Sequence, residues 1–324
     1  KGKIQAEARW YFLQSSLYKR KGRINELQLK GQIDRLAYEK ENLGILIGKQ
    51  KMAFRLKYDS LLCSVLLHRI QNLSLLSNAQ SYLLLNEHIS SDELLTILNE
   101  KAEAERLLAT IDGIYAPSSD LSTPKGVVIQ IDTLSLIDYI RQTHTDLSTV
   151  QLRMDLLEQQ QKNTSYWSSF NIAPFVRYSY YTRPHISNSS NVDAGIVFSL
   201  PISSETKRKK GVLRAEQDLL SIEKDRLSER ILDDVHLTLL EVERLNRASI
   251  GEYNRLVELK SYLTMRSDAY NNRIGEYSRL ARIKEYNSYL LCWEKLVMFQ
   301  YQRDCLVANL QAYLTDIPIL KFCH

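Results

Sequence analysis

The fold is decided by residues 171–202, which read NIAPFVRYSYYTRPHISNSSNVDAGIVFSLPI. Apolar and polar residues alternate over Asn171–Tyr180 and again over Val192–Ile202, and a polar stretch separates the two runs. A period of two is typical of β-strands that have one apolar face. We therefore predict a β-hairpin whose apolar face carries Ile172, Val176, Tyr178, Tyr180, Val192, Ile196, Phe198 and Leu200. Strands of about ten residues with such a face suit contact with lipid.

The rest of the chain is predicted to be mainly helical. Its 324 residues include only 11 glycines and 6 prolines, a composition that favours long helices. Apolar residues recur every three or four positions from Arg23 to about Leu85 and from Ser204 to about Asn272. At 1.5 Å per residue, the second run would span about 100 Å, more than one compact domain requires. Shorter helices are predicted over residues 90–111, 134–167 and 278–314, and an aromatic-rich strand over residues 8–18.

The chain also contains an internal repeat. A basic cluster ending in glycine precedes each long helical run, at Lys19–Gly22 and at Arg208–Gly211, 189 positions apart. Farther on, a tyrosine lies eight residues before a serine that begins a helix, at Tyr82–Ser90 and at Tyr270–Ser278, 188 positions apart. Two landmarks with nearly the same offset indicate two copies of one unit: strand, basic turn, long helix, sharp turn and shorter helix.

At this point the chain resembles the TolC-like family of outer membrane efflux proteins. The resemblance is carried by Phe198-Ser199-Leu200-Pro201-Ile202, by the basic turn, by Gly211-Val212-Leu213-Arg214-Ala215-Glu216 and by the Tyr270-x4-Gly275-x2-Ser278 turn. It covers most of residues 8–315. The resemblance implies a mainly α protein whose long antiparallel helical hairpins form an α-barrel. A small membrane β part would contribute strands to an oligomeric β-barrel.

The resemblance further implies a function and a place in the cell. The protein would be a homotrimer in the Gram-negative outer membrane that contacts outer membrane lipid and extends into the periplasm. It would be the outer membrane channel of a tripartite efflux or type I secretion system, a passive conduit for small molecules or proteins. A periplasmic adaptor (membrane fusion protein) and an inner-membrane pump would dock at its helical tip.

The domain organisation follows from the same resemblance. The barrel strands would occupy residues 8–18 and 170–202, and the helical tunnel residues 19–111, 134–169 and 203–316. Residues 112–133 would form an equatorial loop, and the two repeats would cover about 8–168 and 170–316. The family has a helix and a strand before the equivalent of residues 8–18, so we expect an N-terminally incomplete chain.

Two further groups of site residues are predicted. The periplasmic tip and aperture would be formed by Tyr82, Glu87, His88, Tyr270, Asn271, Arg273, Gly275 and Glu276. Basic residues would form a turn at the membrane edge, near anionic headgroups: Lys19, Arg20, Lys21, Lys207, Arg208, Lys209 and Lys210. A solvated turn is the alternative for these cations. Nucleic acid is not expected, because no aromatic residues interleave with them.

Catalysis finds little support in the sequence. The six histidines are scattered, and no HExxH, GxSxG, P-loop or dinucleotide motif is present. Asp233 and His236 are a lone pair of potential metal ligands, whereas a di-metal bundle places such a motif on two helices. We therefore predict no enzyme, no metal and no cofactor. The alternative to a channel is a soluble coiled-coil scaffold whose strands form a small cap.

Overall fold

The computed structural model describes residues 2–10, 13–14, 16–85, 91–111, 128–164, 171–182, 189–199, 204–271, 279–314 and 317–323. Its strands are β1 (Gly2–Arg9), β2 (Leu13–Gln14), β3 (Asn171–Thr182) and β4 (Ser189–Ser199). Its helices are α1 (Ser16–Leu85), α2 (Ser91–Ala109), α3 (Thr133–Thr143), α4 (Thr145–Asn163), α5 (Ser204–Asn271) and α6 (Arg279–Leu310). Short 3-10 turns at Gln311–Tyr313 and Ile319–Phe322 follow. Among these helices, none combines the length and the apolarity that a membrane span requires.

The starts of four helices have a constant spacing. Helices α1 and α5 begin at Ser16 and Ser204, which are 188 positions apart. Helices α2 and α6 begin at Ser91 and Arg279, which are also 188 positions apart. Strands precede both long helices, and α3 and α4 follow α2 alone.

The first strand lies earlier in the chain than the sequence predicts. Instead of one strand over residues 8–18, β1 covers Gly2–Arg9 and β2 only Leu13–Gln14, and α1 already begins at Ser16. The apolar face of β1 consists of Ile4 and two alanines, which give a weak periodic signal. The sequence pattern therefore centres the predicted strand on the aromatic residues that follow β1.

The basic clusters lie in helices rather than in turns. Lys19–Lys21 belong to α1 and Lys207–Lys210 to the first two turns of α5. Cations near a helix N-terminus oppose the helix dipole, by about 0.3–1 kcal/mol each at an exposed position. Arg20, Lys21, Lys207, Arg208 and Lys209 are exposed to water, which keeps this cost at the lower end.

The helix predicted over residues 134–167 is divided in two. Between α3 and α4, His144 has an extended backbone with φ −60° and ψ 127°. Its Nδ1 accepts a hydrogen bond of 3.1 Å from the Asp146 N–H and so caps α4. A histidine is not among the usual N-cap residues, and no glycine or proline marks the break, so the periodic pattern did not reveal it.

The chain divides into two compact units, and the first contains the sheet. It comprises Lys1–Lys40 and Thr143–Ile231. Its helices are joined by polar side chains: Asn163 Nδ2 to Glu26 Oε1 (2.5 Å), Gln161 Nε2 to Gln217 Oε1 (2.9 Å), Lys224 Nζ to Gln151 Oε1 (2.8 Å) and Lys40 Nζ to Asp146 Oδ1 (2.7 Å). Gly22 is buried, and a Cβ there would lie 2.0 Å from Asn163 Oδ1. Gly22 therefore allows α1 and α4 to approach closely.

The second unit comprises Glu41–Gln142 and Leu232–His324 and has an apolar core. Trp293, 1% exposed, packs at the centre of a cluster from α1, α5 and α6 that includes Val65, Leu256 and Leu296. Tyr289 lies edge-on to the Trp293 ring, with the ring centroids 5.8 Å apart. This unit buries large side chains against each other, as helix bundles do.

Candidate functional site

The sheet is built around β3, which has a partner on each edge. Strand β4 pairs antiparallel with β3 along one edge, from Asn171↔Ser199 to Tyr181↔Ser189. Strands β1 and β2 share the other edge, β1 opposite residues 175–182 and β2 opposite residues 171–172. Directly paired residues lie on the same side of an antiparallel sheet, so the register assigns every strand residue to one of two faces.

A proline explains why β1 and β2 are separate. The Pro174 carbonyl accepts a hydrogen bond of 2.9 Å from the Trp10 N–H, so the missing N–H of Pro174 belongs to the same edge. Since proline cannot donate to the ladder, the pairing on this edge is interrupted there. Strand β1 ends at Arg9, opposite Phe175, and β2 pairs with β3 at Leu13, opposite Ile172; residues 11 and 12 are not described.

One face of the sheet, here called the apolar face, is exposed along its whole length. It carries Ile4, Val176, Tyr178, Val192, Ile196 and Phe198, which are between 39% and 68% exposed, together with the half-buried Pro174 and Tyr180. In this register, Val176, Tyr178 and Tyr180 of β3 lie on the same side as Val192, Ile196 and Phe198 of β4. Side chains of Ile172 and residue Leu200 lie outside the described part of the chain.

The opposite side, here called the charged face, carries five ionisable residues: Lys3, Glu7, Arg9, Arg177 and Asp193. Arg177 donates to Glu7 Oε2 from Nε at 2.9 Å and from Nη2 at 2.8 Å, and Arg9 donates to the other oxygen of Glu7. The Arg177 guanidinium lies 5.4 Å from the centre of the Phe175 ring. The alternation therefore separates a continuous apolar surface from an ordered charged one.

The predicted basic residues continue from the sheet. Within the first unit, α5 begins five residues after β4 and presents Lys207, Arg208 and Lys209 to water, with Lys210 half-buried. Arg20 and Lys21 are likewise exposed in α1, and the side chain of Lys19 is not described. Each basic cluster therefore lies near the N-terminus of a long helix that follows a strand in the sequence.

The predicted aperture falls almost entirely outside the described residues. Tyr82, 70% exposed, lies in the last turn of α1. Tyr270 and Asn271 end α5, without described side chains. The other residues of this set are not described: Glu87, His88, Arg273, Gly275 and Glu276.

Polar contacts link the helices near these ends in the second unit. Lys284 of α6 donates to Glu93 of α2. Lys284 holds the pKa of Glu93 below its ordinary value. Deeper in the unit, Arg69 is 3% exposed and donates to Glu294 Oε2 at 2.6 Å. Sequence reasoning missed this pair because both residues lie in regular helical runs that look amphipathic.

No described group of three or more His, Cys, Asp and Glu side chains could hold a metal ion. His144 is buried, and burial lowers its pKa. Its ring serves as a helix cap, as described above.

Several proteins of known structure have a similar fold. No protein-family model matches the sequence, and no curated protein matches it significantly. The structure is similar to the outer membrane channel CmeC of Campylobacter jejuni, with a TM-score of 0.59, 10% identity and coverage of 99% of this chain and 79% of that one. It is similar to the outer membrane protein VceC of Vibrio cholerae, with a TM-score of 0.58, 11% identity and coverage of 96% and 79%. For the open state of the outer membrane channel MtrE of Neisseria gonorrhoeae, the values are 0.57, 12%, 97% and 80%.

These similarities extend over nearly the whole chain, and they confirm the predicted fold. The chain has the TolC-like architecture of long helices that carry a small antiparallel sheet. At 10–12% identity, the likeness concerns the fold alone.

Proposed function

We propose that this protein is a passive conduit in the outer membrane of a Gram-negative bacterium, with helices that extend into the periplasm. The observation that carries the proposal is the fold. CmeC and MtrE are outer membrane channels, and this chain matches each of them over at least 97% of its length. The conduit would bind no cofactor and catalyse no reaction.

The two faces of the sheet support a position in lipid. A lysine or arginine that faces lipid at the bilayer midplane costs about 2–4 kcal/mol. Arg177 lies near the middle of β3, between Val176 and Tyr178, so only the apolar face can contact lipid at this depth. The lipid-facing residues would be those predicted: Ile172, Val176, Tyr178, Tyr180, Val192, Ile196, Phe198 and Leu200.

The basic residues fit the edge of such a membrane. Lys207, Arg208 and Lys209 are exposed in the first two turns of α5, directly after the sheet. Each cation near an anionic lipid surface contributes about 1 kcal/mol of attraction. In the proposed position they would contact lipid headgroups where the helices leave the membrane.

The assembly is proposed from the resemblance. Three copies would share one β-barrel and one helical tunnel. The sheet of one copy is only three strands wide, because β1 and β2 lie on the same edge, and a sheet of this width does not close into a barrel. A periplasmic adaptor and an inner-membrane pump would dock at the tip, as part of a tripartite efflux or type I secretion system. Tyr82 and the residues between α5 and α6 would form the aperture there, and the pump would select the cargo.

Membrane extraction followed by mass measurement tests this proposal. We expect the protein to fractionate with outer membranes, to require detergent, and to have the mass of a trimer after the detergent is subtracted. Reconstituted into planar bilayers, it should conduct ions. A monodisperse monomer that is soluble without detergent would instead support the alternative, a coiled-coil scaffold whose apolar sheet face packs against protein.

A further inference from the structure

We propose that the charged face of the sheet sets the charge preference of the pore at its membrane end and favours anionic solutes, with Glu7 as the residue that limits this preference. The inference rests on the proposed channel function, which would place this face against the water-filled lumen. Rings of charged side chains are a common basis of pore selectivity.

The first step is the number of charges on this face. The described strands place three cations there, Lys3, Arg9 and Arg177, against two carboxylates, Glu7 and Asp193. Each copy therefore contributes an excess of one positive charge, and every further copy in an oligomer adds another. All five side chains belong to one sheet, so their positions relative to each other are fixed by the strand register.

The second step is the order of the central cluster. Glu7 accepts hydrogen bonds from Arg177 at 2.9 Å and 2.8 Å, and Arg9 binds its other oxygen. One carboxylate thus binds two guanidinium groups, and its removal would take a negative charge away from both. The side chain of Glu7 is 21% exposed and that of Arg177 is 35% exposed, so solutes can reach the cluster.

The third step is the platform beneath Arg177. The Phe175 ring packs over Gly195 on the paired strand, where a Cβ would lie 2.8 Å from the ring. The guanidinium of Arg177 lies 5.4 Å above this ring. The Phe175 ring and the Glu7 carboxylate already hold the Arg177 side chain in place. This side chain therefore loses little conformational freedom when an anion binds, and it acts as a fixed positive charge.

The test is the reversal potential of the full chain in planar bilayers under a KCl gradient, with the dilute side at or below about 0.1 M, because the Debye length is about 10 Å there. Glu7→Gln should raise the Cl⁻/K⁺ permeability ratio about two- to threefold, the effect of one unit charge at about 7 Å in water. Gln5→Glu adds a carboxylate to the same face and should lower the ratio by a similar factor. Glu7→Asp keeps the charge and should match the unaltered protein.

The outcomes separate the two proposals. Conducting channels whose permeability ratio is the same in Glu7→Gln, Gln5→Glu and the unaltered protein would overturn the inference and leave the channel function standing. An unaltered protein that does not conduct would overturn both. Should Glu7→Gln fail to assemble, Asp193→Asn removes the other carboxylate of this face, that of the register partner of Arg177, and the same rise is expected.

Discussion

The two units of the chain differ in how far their apolar side chains are buried. In the second unit, Trp293, Leu296 and Leu66 are almost completely buried by neighbouring helices. In the first unit, the buried apolar side chains of the described residues are few: Leu147, Val150, Ala173, Leu213 and Ile231. The apolar face of its sheet is exposed.

The difference shows where each unit obtains its stability. The second unit has a core that its own helices cover, and burial of each large side chain contributes about 1.5–3 kcal/mol. The first unit relies on strand pairing and on polar contacts such as Asn163–Glu26. An exposed apolar sheet face is completed by something outside the chain, here proposed to be lipid.

The largest expected effect comes from Trp293, with Trp10 as its control. Trp293→Ala should destabilise the protein by about 3–5 kcal/mol, because it removes a fully buried ring and leaves a cavity. Trp10→Ala is the matched control in the first unit: Trp10 is 49% exposed, so the change should stay within about 0.5 kcal/mol. Urea unfolding followed by circular dichroism measures both. Equal losses of unfolding free energy in the two variants would contradict the view that the second unit buries its own apolar core whereas the first unit leaves its apolar face exposed.

The buried ion pair of the second unit gives a second test. Arg69→Met leaves Glu294 charged and buried without this partner, and should cost about 3–5 kcal/mol. The double variant Arg69→Met/Glu294→Leu should recover most of the loss. Arg35→Ala, in an exposed pair with Glu39 of the first unit, should cost less than about 0.5 kcal/mol. A double variant no more stable than Arg69→Met would show that the pair itself stabilises the unit.

Membrane insertion tests the first unit. Ile196→Lys places a charge on the apolar face and should oppose insertion by about 2–4 kcal/mol. Asn191→Lys places the same charge in the same strand on the charged face and should insert normally. Heat-modifiable mobility of the membrane fraction in gels reports insertion. If both variants inserted equally well, lipid would not be what covers the apolar face.

The smallest expected effect is the pH dependence of the cap at His144. Burial lowers the pKa of His144 from its ordinary 6.5, despite the nearby Asp146, so the unfolded chain takes up this proton first as pH falls. Stability is therefore complete above pH 6.5 and is lost as pH falls toward the folded pKa.

His144→Asn keeps an N-cap acceptor but cannot titrate. The variant should lose the His144 contribution to the difference in unfolding free energy between pH 7.5 and pH 5. Unfolding curves at the two pH values provide the comparison. If the pH dependence of the unfolding free energy were unchanged in the variant, His144 would not contribute to it.

Much of the fold could be predicted from the sequence because its strongest patterns are long. The hairpin of β3 and β4 was predicted from alternation alone, since one face collects large residues such as Phe198. Helices α1 and α5 were predicted from tens of residues of consistent periodicity. Strand β1 was missed because its apolar positions are mostly alanine, and the break at His144 because its cap is a side-chain nitrogen.

The site was predicted only in part, for a similar reason. Alternation identifies which residues share a face, but not which charges meet across strands. The pairing of Glu7 with Arg177 joins residues 170 positions apart, and nothing local in the sequence indicates it. The same holds for Arg69 and Glu294, which are 225 positions apart.

The distance along the chain between β1 and β3 has a consequence for the order of folding. Strands β3 and β4 are neighbours in sequence and can pair early, whereas β1 must arrive across some 170 positions. Until it does, one edge of β3 is open and can accept β1 of another copy. Cysteines at Gln5 and Ser179, which are register partners, would report the outcome: cross-links within one chain indicate self-closure, and cross-links between chains indicate exchanged strands.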